Sequence, residues 1–468
     1  MGRIARWIVV AAVAAGGESA GLEPQVAEGQ DRPNVVWILA DDLAWGDPGC
    51  FGHEVLETPN LDRLAAEGVR LTDFYADAPV CSPTRAALLT GRVPQRNGLT
   101  NVIETRDHAT CLNPSETLVS ELLQSAGYAT ALVGKWHVGA VPGARPNDRG
   151  FDYFFGNLLG GLGFFTHDFM DQGIHDLWQD HTPVRRDGAY VTDLLGDAAA
   201  GFVETHAEGP FFLYLAFQAV HTDMGSRGLN RQMVAPPRWI EHYAAKLDAP
   251  EDDLRVLYYA CASAMDEAIG KVLRTLDRLE LAPATFVFFT SDNGPEPRQA
   301  GSAGPYRGTK HTLWEGGIRV PAVARWPGRI PAGAVRGGYG ITHDLMPTTL
   351  AAAGVPQPAD LTIDGHSLLP LLERGEYDAG RALCWSYIRE GHQVRERVVR
   401  RGRWKWLNGE LYDLDADPGE ANDSAAERPE LAAELQGVWE QWVRQFPAEV
   451  KRWDGRPAAR REFRRIAP

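Results

Sequence analysis

The chain has 468 residues, of which 44% are hydrophobic and 23% are charged, as is typical of a folded globular protein. This length predicts one large domain and a smaller one. The formal net charge of −15 argues against a nucleic-acid-binding protein, because binding a phosphate backbone requires a basic surface.

The N-terminus has the pattern of a secretory signal peptide over residues 1–20. Arg3 and Arg6 precede a short apolar run at residues 7–15, and small residues follow it. This run is too short to cross a bilayer, which takes ~20 apolar residues, and no later segment reaches that length. We therefore expect an exported protein, periplasmic or secreted, that has no stable membrane anchor.

Further along, apolar runs alternate with amphipathic stretches. Four runs have the pattern of strands buried on both faces: residues 35–39, 129–133, 211–217 and 286–289. Helices are predicted from Thr58-Pro59, over residues 115–127 and over residues 251–280. This alternation is typical of an α/β domain with a large, mostly parallel sheet sandwiched by helices.

The pattern changes near residues 373–380. Beyond this point, short strands are predicted at 382–388, within 397–407 and at 410–414, and a helix is predicted at 429–446. We therefore expect a large domain at residues 33–374 and a smaller α+β subdomain with an antiparallel sheet at residues 375–468. The basic residues of the last segment are expected to form a solvated tail.

The stretch VCSPTRAALLTGR, residues 80–92, predicts a helix that begins near Ser82-Pro83 and ends at Gly91. Cys81 would then lie at the positive end of the helix dipole, where an unmodified thiol is expected to be acidic and reactive. Arg85 would help to hold an anionic group there. A thiolate is nevertheless a poor ligand for a calcium-like ion.

Five cysteines are present, namely Cys50, Cys81, Cys111, Cys261 and Cys384. In an oxidising compartment an odd number leaves at least one of them unpaired or chemically special. If that one is Cys81, the other four could form up to two disulfides in three connectivities, or could remain free thiols.

Polar residues follow each of the four predicted strands, in the stretches WILADD, ALVGKWH, FLYLAFQAVH and FVFFTSDNG. The residues concerned are Asp41, Asp42, Lys135, His137, His221, Asp292 and Asn293. Because ligands bind outside the carboxyl ends of the strands in open α/β sheets, these side chains are expected to form one site.

The acidic members of this set predict a metal site. Asp41, Asp42, Asp292 and Asn293 offer only hard oxygen ligands, which suit calcium or, second, magnesium, whereas zinc favours nitrogen and sulfur. Taken singly, such dipeptides are also common in turns.

The basic members suit an oxyanion. Lys135 and His137 are two residues apart, so both side chains leave an extended segment on the same side. A fixed positive charge beside a titratable donor can bind an anionic substrate. His221, and Lys310 in RGTKHTLWEGG, are each only weak evidence for such a site when considered alone.

The motif Cys81-Ser-Pro83-Thr-Arg85, followed by Leu-Thr-Gly-Arg92, resembles the signature of the formylglycine-dependent (type I) sulfatases, which belong to the alkaline-phosphatase-like superfamily. The stretches CSPTRAALLTGR, GKWH, FVFFTSDNG and the late Asp417-Pro-Gly-Glu420 resemble the arylsulfatase A and N-acetylgalactosamine-6-sulfatase branch. In this family a maturation enzyme converts the cysteine to an aldehyde, whose hydrate is the nucleophile. The hydrate offers oxygen to the metal, which removes the mismatch between thiolate and calcium.

The resemblance implies a role for each candidate residue. Asp41, Asp42, Asp292, Asn293 and the modified Cys81 would hold calcium, and Arg85 would steady the nucleophile. Lys135 and Lys310 would neutralise the sulfate oxygens, with His221 also contacting the substrate. His221, together with Lys310, would protonate the leaving alcohol, and His137 would help the sulfated hydrate to collapse.

One departure concerns the loop after His221. Relatives often carry a proline two residues later, whereas this chain has Thr222 and Asp223, so the wall of the pocket is expected to differ. Residues 156–171, rich in glycine and phenylalanine, are expected to line the pocket as well.

The leading interpretation is a secreted arylsulfatase-like hydrolase that acts on a sulfated carbohydrate. One alternative is a phosphate or phosphonate ester hydrolase on the same scaffold, because phosphate is also a tetrahedral oxyanion. Another is an inactive sulfated-glycan binder in which Cys81 remains a thiol.

Overall fold

The computed structural model describes residues 32–103, 110–169, 174–225, 233–388, 395–446 and 453–454. The predicted signal peptide and most of the basic tail lie outside these residues. No helix in the described part of the chain is long and apolar enough to cross a membrane.

The strands and helices are bounded as follows. The strands are β1 (Asn34–Ala40), β2 (Val69–Tyr75), β3 (Thr110–Cys111), β4 (Ala129–Lys135), β5 (Tyr153–Asn157), β6 (Asp168–Phe169), β7 (Ile174–His175), β8 (Trp178–Gln179), β9 (Thr182–Pro183), β10 (Phe211–Ala216), β11 (Thr285–Ser291), β12 (Arg319–Arg325), β13 (Ala334–Arg336), β14 (Gly340–Ile341), β15 (Ala382–Ile388), β16 (Arg395–Arg401), β17 (Trp404–Leu407), β18 (Glu410–Asp413) and β19 (Trp453–Asp454). The α-helices are α1 (Pro59–Ala66), α2 (Cys81–Thr90), α3 (Pro94–Asn97), α4 (Val119–Ser125), α5 (Val191–Thr205), α6 (Pro237–Leu247), α7 (Leu254–Arg278), α8 (Glu315–Ile318), α9 (Leu345–Ala353), α10 (Leu369–Arg374) and α11 (Pro429–Val443).

The central sheet has the strand order β13-β2-β12-β11-β1-β10-β4-β5-β8-β9, with β14 paired to β2. The five strands from β11 to β5 are parallel to one another, and β12 joins β11 in antiparallel fashion. All four strands predicted from apolar runs lie in this parallel centre. The predicted α/β fold with a mostly parallel sheet is therefore confirmed.

Helices cover both faces of the sheet, as predicted. Alternate residues of β1 enter different hydrophobic clusters: Trp37 packs in the cluster that contains α9, and Ile38 packs in the cluster that contains α7. This alternation is what a strand buried on both faces requires.

One predicted helix begins later than expected. Residues 115–127 were predicted to be helical, whereas α4 spans Val119–Ser125. Asn113 accepts the backbone N–H of Ser115 and Glu116 in a turn, and the Glu121 carboxylate caps the Leu118 N–H at 2.8 Å. The capping carboxylate therefore sets the start of the helix four residues further on.

The C-terminal subdomain is an antiparallel sheet in the order β15-β16-β17-β18, with α11 packed against it. The stretch predicted at residues 397–407 forms the two strands β16 and β17, joined by a tight turn. The indole of Trp385 on β15 donates to Ala76 O of the large domain at 2.9 Å. The subdomain therefore contacts the segment that leads from β2 into α2.

All five cysteines are free in the structure, so it contains neither of the two disulfides that the sequence allowed. Cys81, Cys111 and Cys261 are buried, and Cys50 and Cys384 are partly buried. Burial raises the pKa of the thiols of Cys50, Cys111, Cys261 and Cys384 to about 12.

Candidate active site

Cys81 is the first residue of α2, at the carboxyl edge of the central sheet. Val80 precedes it in extended conformation, and Gly91 ends the helix with a left-handed φ of 64°. Every residue of this helix is buried, and the Cys81 side chain is 3% exposed. The prediction of an acidic thiol is wrong. Burial raises the pKa of Cys81, and the positive charges of Lys135 and Lys310 only partly oppose this increase.

The acidic residues converge because their strands are neighbours. Ala40 at the end of β1 is in register with Ser291 at the end of β11, so the dipeptides that follow both strands lie side by side. The Asp42 N–H faces Asp292 Oδ1 at 3.3 Å, and Asn293 Nδ2 donates to Asp42 Oδ1 at 2.6 Å. The sheet register therefore brings together the residues that were predicted to bind a metal.

Three buried cations face three buried carboxylates in this site. The Arg85 guanidinium donates twice to Asp292 Oδ2, at 2.9 Å and 2.7 Å, and its Nη2 lies 3.4 Å from Asp41 Oδ2. Lys135 Nζ lies 2.5 Å from Asp41 Oδ2, and Lys310 Nζ lies 2.6 Å from Asp42 Oδ1. The charges of the six side chains thus sum to zero.

The two aspartates that face Arg85 have opposite pKa shifts. Burial alone would raise the pKa of Asp41, but Lys135, His221 and Arg85 lower it below its usual range. Burial and the neighbouring Asp41 charge raise the pKa of Asp292 to about 6, although Arg85 opposes them. Asp41 is therefore held as a carboxylate by its cationic neighbours.

Two oxygen atoms of this site have no hydrogen-bond partner among the described residues. They are Asp41 Oδ1 and Asn293 Oδ1, and both are buried. A buried oxygen without a donor is costly unless a cation binds it. Ligand atoms of Asp41, Asp42 and His221 also lie within 4.8 Å of one another. The donor set is dominated by oxygen, so these residues fit a hard divalent cation.

The histidines differ in the nitrogen that is left available. His137 Nε2 lies 3.1 Å from Ile103 O, and its Nδ1 is buried without a partner in the described chain. A carbonyl only accepts, so Nε2 carries the proton and Nδ1 is a base. Burial and the charge of Lys135 lower the pKa of His137 well below its usual value. His137 is therefore a neutral base.

His221 has the opposite arrangement. Its Nδ1 lies 2.9 Å from Thr222 O and therefore carries a proton. The other nitrogen, Nε2, lies 3.9 Å from Asp42 Oδ2 and is the atom that can gain and release a second proton. Burial and the nearby Lys310 charge lower the pKa of His221. The side chain is 14% exposed, so it reaches the mouth of the site.

The unusual loop after His221 is tied to the glycine-rich loop. Asp223 accepts the N–H of Phe164 at 3.3 Å and that of Gly225 at 2.6 Å. Gly160 of the same glycine-rich loop packs directly against the ring of His137. The part of residues 156–171 that the structure describes therefore adjoins the site, as expected.

Two supporting residues were not identified from the sequence. Asp176 accepts the N–H groups of Leu158 and Leu159, and Gln218 makes two hydrogen bonds with the backbone of Leu162. Burial raises the pKa of Asp176 to about 7. These side chains hold the loop that contains Gly160, and no local motif marks them.

Buried acidic and basic side chains thus converge at the carboxyl edge of a mostly parallel α/β sheet. Residues 33–355 match the family model described as Sulfatase, and residues 307–444 match one described as N-sulphoglucosamine sulphohydrolase, C-terminal. The chain belongs to the sulfatase family, which makes it a sulfuric ester hydrolase by family, as the signature around Cys81 predicted.

Several known proteins are similar to the chain. It is 38% identical to N-acetylgalactosamine-6-sulfatase of Mus musculus over 366 residues, 74% of this chain and 67% of that protein. It is 32% identical to steryl-sulfatase of Homo sapiens over 444 residues, 76% of this chain and 73% of that protein. The crystal structure of Ps i-CgsB in complex with k-i-k-neocarrahexaose superposes with a TM-score of 0.82 at 28% identity, over 93% of this chain and 98% of that chain.

The chain spans about two thirds of the length of the mammalian N-acetylgalactosamine-6-sulfatases that it matches. The relatives named above also differ in the kind of sulfate that their names describe. Family membership therefore indicates sulfate ester hydrolysis.

Proposed function

We propose that the protein is an exported sulfatase that removes sulfate from a carbohydrate. The observation that carries the proposal is the convergence of Cys81, the acidic group with its two unpartnered oxygens, and two lysines at one edge of the sheet. Two similar proteins are associated with sugars: one is an N-acetylgalactosamine-6-sulfatase, and the other, Ps i-CgsB, was crystallised with k-i-k-neocarrahexaose. The catalytic domain would comprise residues 33–374 and the subdomain residues 375–468.

Calcium would be held by Asp41, Asp42, Asp292, Asn293 and the modified residue at position 81, with magnesium as the less favoured ion. Bound there, the ion would supply positive charge for the nucleophile and the sulfate oxygens. Cys81 would be converted to formylglycine by a maturation enzyme, and its hydrate would supply an oxygen nucleophile. The hard oxygen donors and the two unpartnered oxygens support this assignment.

The other residues would bind the substrate and move protons. Lys135 and Lys310 would neutralise the sulfate oxygens, and Arg85 would hold Asp292 and the residue at position 81 in place. His221 would donate the Nε2 proton to the leaving oxygen of the sugar. His137, whose Nδ1 is the free base, would accept a proton when the modified residue is regenerated.

The test begins with the tryptic peptide Leu71–Arg85 from protein made in its native exporting host. Mass spectrometry should show the loss of the thiol and the gain of an aldehyde at position 81. The same preparation is then assayed on sulfated oligosaccharides, a steroid sulfate, 4-nitrophenyl sulfate and the corresponding phosphate and phosphonate esters. A Cys81→Ala variant with an unchanged melting temperature provides the matched control.

Release of sulfate from the oligosaccharides by wild type alone is the expected result. Activity on the steroid or aryl sulfate only would overturn the carbohydrate assignment. Faster turnover of phosphate or phosphonate esters would replace the sulfatase proposal. An intact thiol in fully matured, inactive protein would favour a glycan-binding protein.

A further inference from the structure

The segment that carries Lys310, residues 305–318, is hydrogen-bonded to the C-terminal subdomain. The backbone N–H of Lys310 donates to Pro295 O, upstream of the segment, at 2.9 Å. Further along, the N–H of Leu313 donates to Glu396 Oε2 at 2.8 Å, and the N–H of Glu315 donates to Glu420 Oε2 at 2.7 Å. Two backbone groups of this segment are therefore bound by carboxylates that belong to the subdomain.

A buried charge cluster lies at this junction. Lys405 Nζ on β17 is 3.0 Å from Glu315 Oε1 and 2.8 Å from Glu420 Oε1, and all three side chains are fully buried. The other oxygen of Glu315 accepts from the Tyr75 hydroxyl at 2.7 Å. Burial raises the pKa of Glu420, and Lys405 only partly offsets this effect.

The backbone around the cluster is equally constrained. Arg307 donates to Glu420 O at 3.0 Å, and its guanidinium stacks 3.7 Å above the ring of Trp314. That ring packs in turn against Tyr412 on β18, with the centroids 5.7 Å apart. Glu420 has a left-handed φ of 52°, a conformation that a non-glycine residue keeps when its surroundings determine it.

A buried ion cluster of this kind adds little net stability over an apolar core of the same volume. Its effect is to fix geometry, because breaking one contact leaves an uncompensated charge inside the protein. Here the cluster fixes the position of the Lys310 segment, and the ammonium of Lys310 lies 2.6 Å from Asp42 Oδ1. The late Asp417-Pro-Gly-Glu420 motif, which has no role in the reaction proposed above, supplies one carboxylate of the cluster.

We propose that Glu420 and Lys405 are positioning residues for Lys310, so that the C-terminal subdomain sets the place of one substrate-binding charge in the active site. Neither residue touches the substrate. The inference rests on the proposed function, because Lys310 is assigned there to the sulfate oxygens. Loss of the Glu420 carboxylate releases the Glu315 N–H and allows the Lys310 segment to shift.

The test compares Glu420→Ala and Glu420→Gln with Leu435→Ala. Leu435 is a fully buried residue of α11, in the subdomain core and away from the Lys310 segment, so its truncation destabilises the subdomain by another route. Glu420→Gln retains an oxygen that can accept the Glu315 N–H. We expect kcat/KM for a sulfated oligosaccharide to fall about 10–100-fold in Glu420→Ala, less in Glu420→Gln, and little in Leu435→Ala.

A double-mutant cycle with Lys310→Met decides whether Glu420 acts through Lys310. If it does, Glu420→Ala causes no further loss of kcat/KM once Lys310 is replaced. Multiplicative losses would overturn the inference, as would an equal loss in a Leu435→Ala variant of matched melting temperature. Neither a general loss of stability nor a purely structural role of Glu420 would make the loss of kcat/KM from Glu420→Ala disappear once Lys310 is replaced.

Hydrogen exchange measured by mass spectrometry supplies a readout that does not depend on activity. Exchange in a peptide covering residues 305–318 should increase in Glu420→Ala and remain unchanged in Leu435→Ala. Unchanged exchange in Glu420→Ala would overturn the inference even if the enzyme is an active sulfatase. Wild-type protein that releases no sulfate, in which exchange still responds to Glu420→Ala, would refute the proposed function and leave the positional role of Glu420 standing.

Discussion

Replacing Lys135 with methionine tests the charge balance of the site. The ammonium of Lys135 lies 2.5 Å from Asp41 Oδ2, and both side chains are fully buried. It is one of three buried cations that face three carboxylates, so its removal leaves a net charge of −1. Removing one partner of a buried ion pair typically costs about 3–5 kcal/mol. We therefore expect the calcium-free variant to be less stable than wild type by about this amount.

Calcium should restore part of that loss, because a divalent cation then binds a site with one positive charge fewer. We expect the variant to bind calcium about 10–100-fold more tightly than wild type, which corresponds to about 1.4–2.8 kcal/mol. Titration calorimetry after chelation, combined with urea unfolding with and without calcium, measures both quantities. Turnover should nevertheless fall, since Lys135 is proposed to neutralise the sulfate.

Lys246→Met is the matched control. Lys246 pairs with Glu57 at 2.7 Å on the surface, where its side chain is 34% exposed, so the expected cost is below about 1 kcal/mol. Calcium affinity should not change in this variant. Equal or weaker calcium binding in a folded Lys135→Met protein would refute the reasoning, because it would show that Lys135 does not oppose the cation.

Three further substitutions test individual side chains. His221→Gln should lower kcat for a sugar sulfate by about 10²–10⁴-fold, but much less for 4-nitrophenyl sulfate, whose leaving group departs without a proton. Gly160→Ala would place a Cβ 2.8 Å from His137 Nε2, so kcat should fall by about tenfold or more with little change in melting temperature. Burial alone would lower the pKa of His343, but the Asp77 carboxylate, whose Oδ1 lies 2.6 Å from His343 Nδ1, raises this pKa above 6.5. The stability that this pair contributes is therefore complete below pH 6.5. It is lost as the pH rises through the raised pKa. His343→Gln should flatten that part of a melting-temperature curve recorded against pH.

Each of these expectations has an outcome that contradicts it. Equal losses of kcat on both substrates would remove His221 as the proton donor. Gly201→Ala is the control for Gly160, because a Cβ at Gly201 meets no atom within 4 Å, and an equal effect in both variants would exclude contact with His137 as the cause. An unchanged slope above pH 6.5 in His343→Gln would show that the Asp77 pair does not contribute to that slope.

The parallel centre of the sheet could be predicted because each strand buried on both faces leaves a continuous apolar run. The observed β1, Asn34–Ala40, extends the predicted residues 35–39 by one residue at each end. The convergence of Asp41 with Asp292 followed from the rule that the carboxyl ends of parallel strands share one edge. Pairwise distances within the site could not be predicted, since they depend on strand order and register.

Other features depend on contacts that no local pattern encodes. Glu315 and Lys405 are separated by 90 residues along the chain, and their ion pair exists only because the subdomain folds against the Lys310 segment. The acidity of Cys81 was predicted wrongly because a helix dipole can be recognised from the sequence, whereas complete burial of that helix cannot. Burial outweighs the local charges and raises the pKa of the thiol.

The burial of Cys81 limits the time at which any enzyme can reach it. In the folded chain its side chain is 3% exposed and lies inside a wholly buried helix. The maturation enzyme proposed above would therefore have to act on the chain before the core closes. Because β1 pairs with β10 and β11, whose residues follow far downstream, closure awaits most of the catalytic domain. Slow long-range pairing would keep the cysteine accessible while the chain is being made, and conditions that accelerate folding should lower the fraction of converted protein.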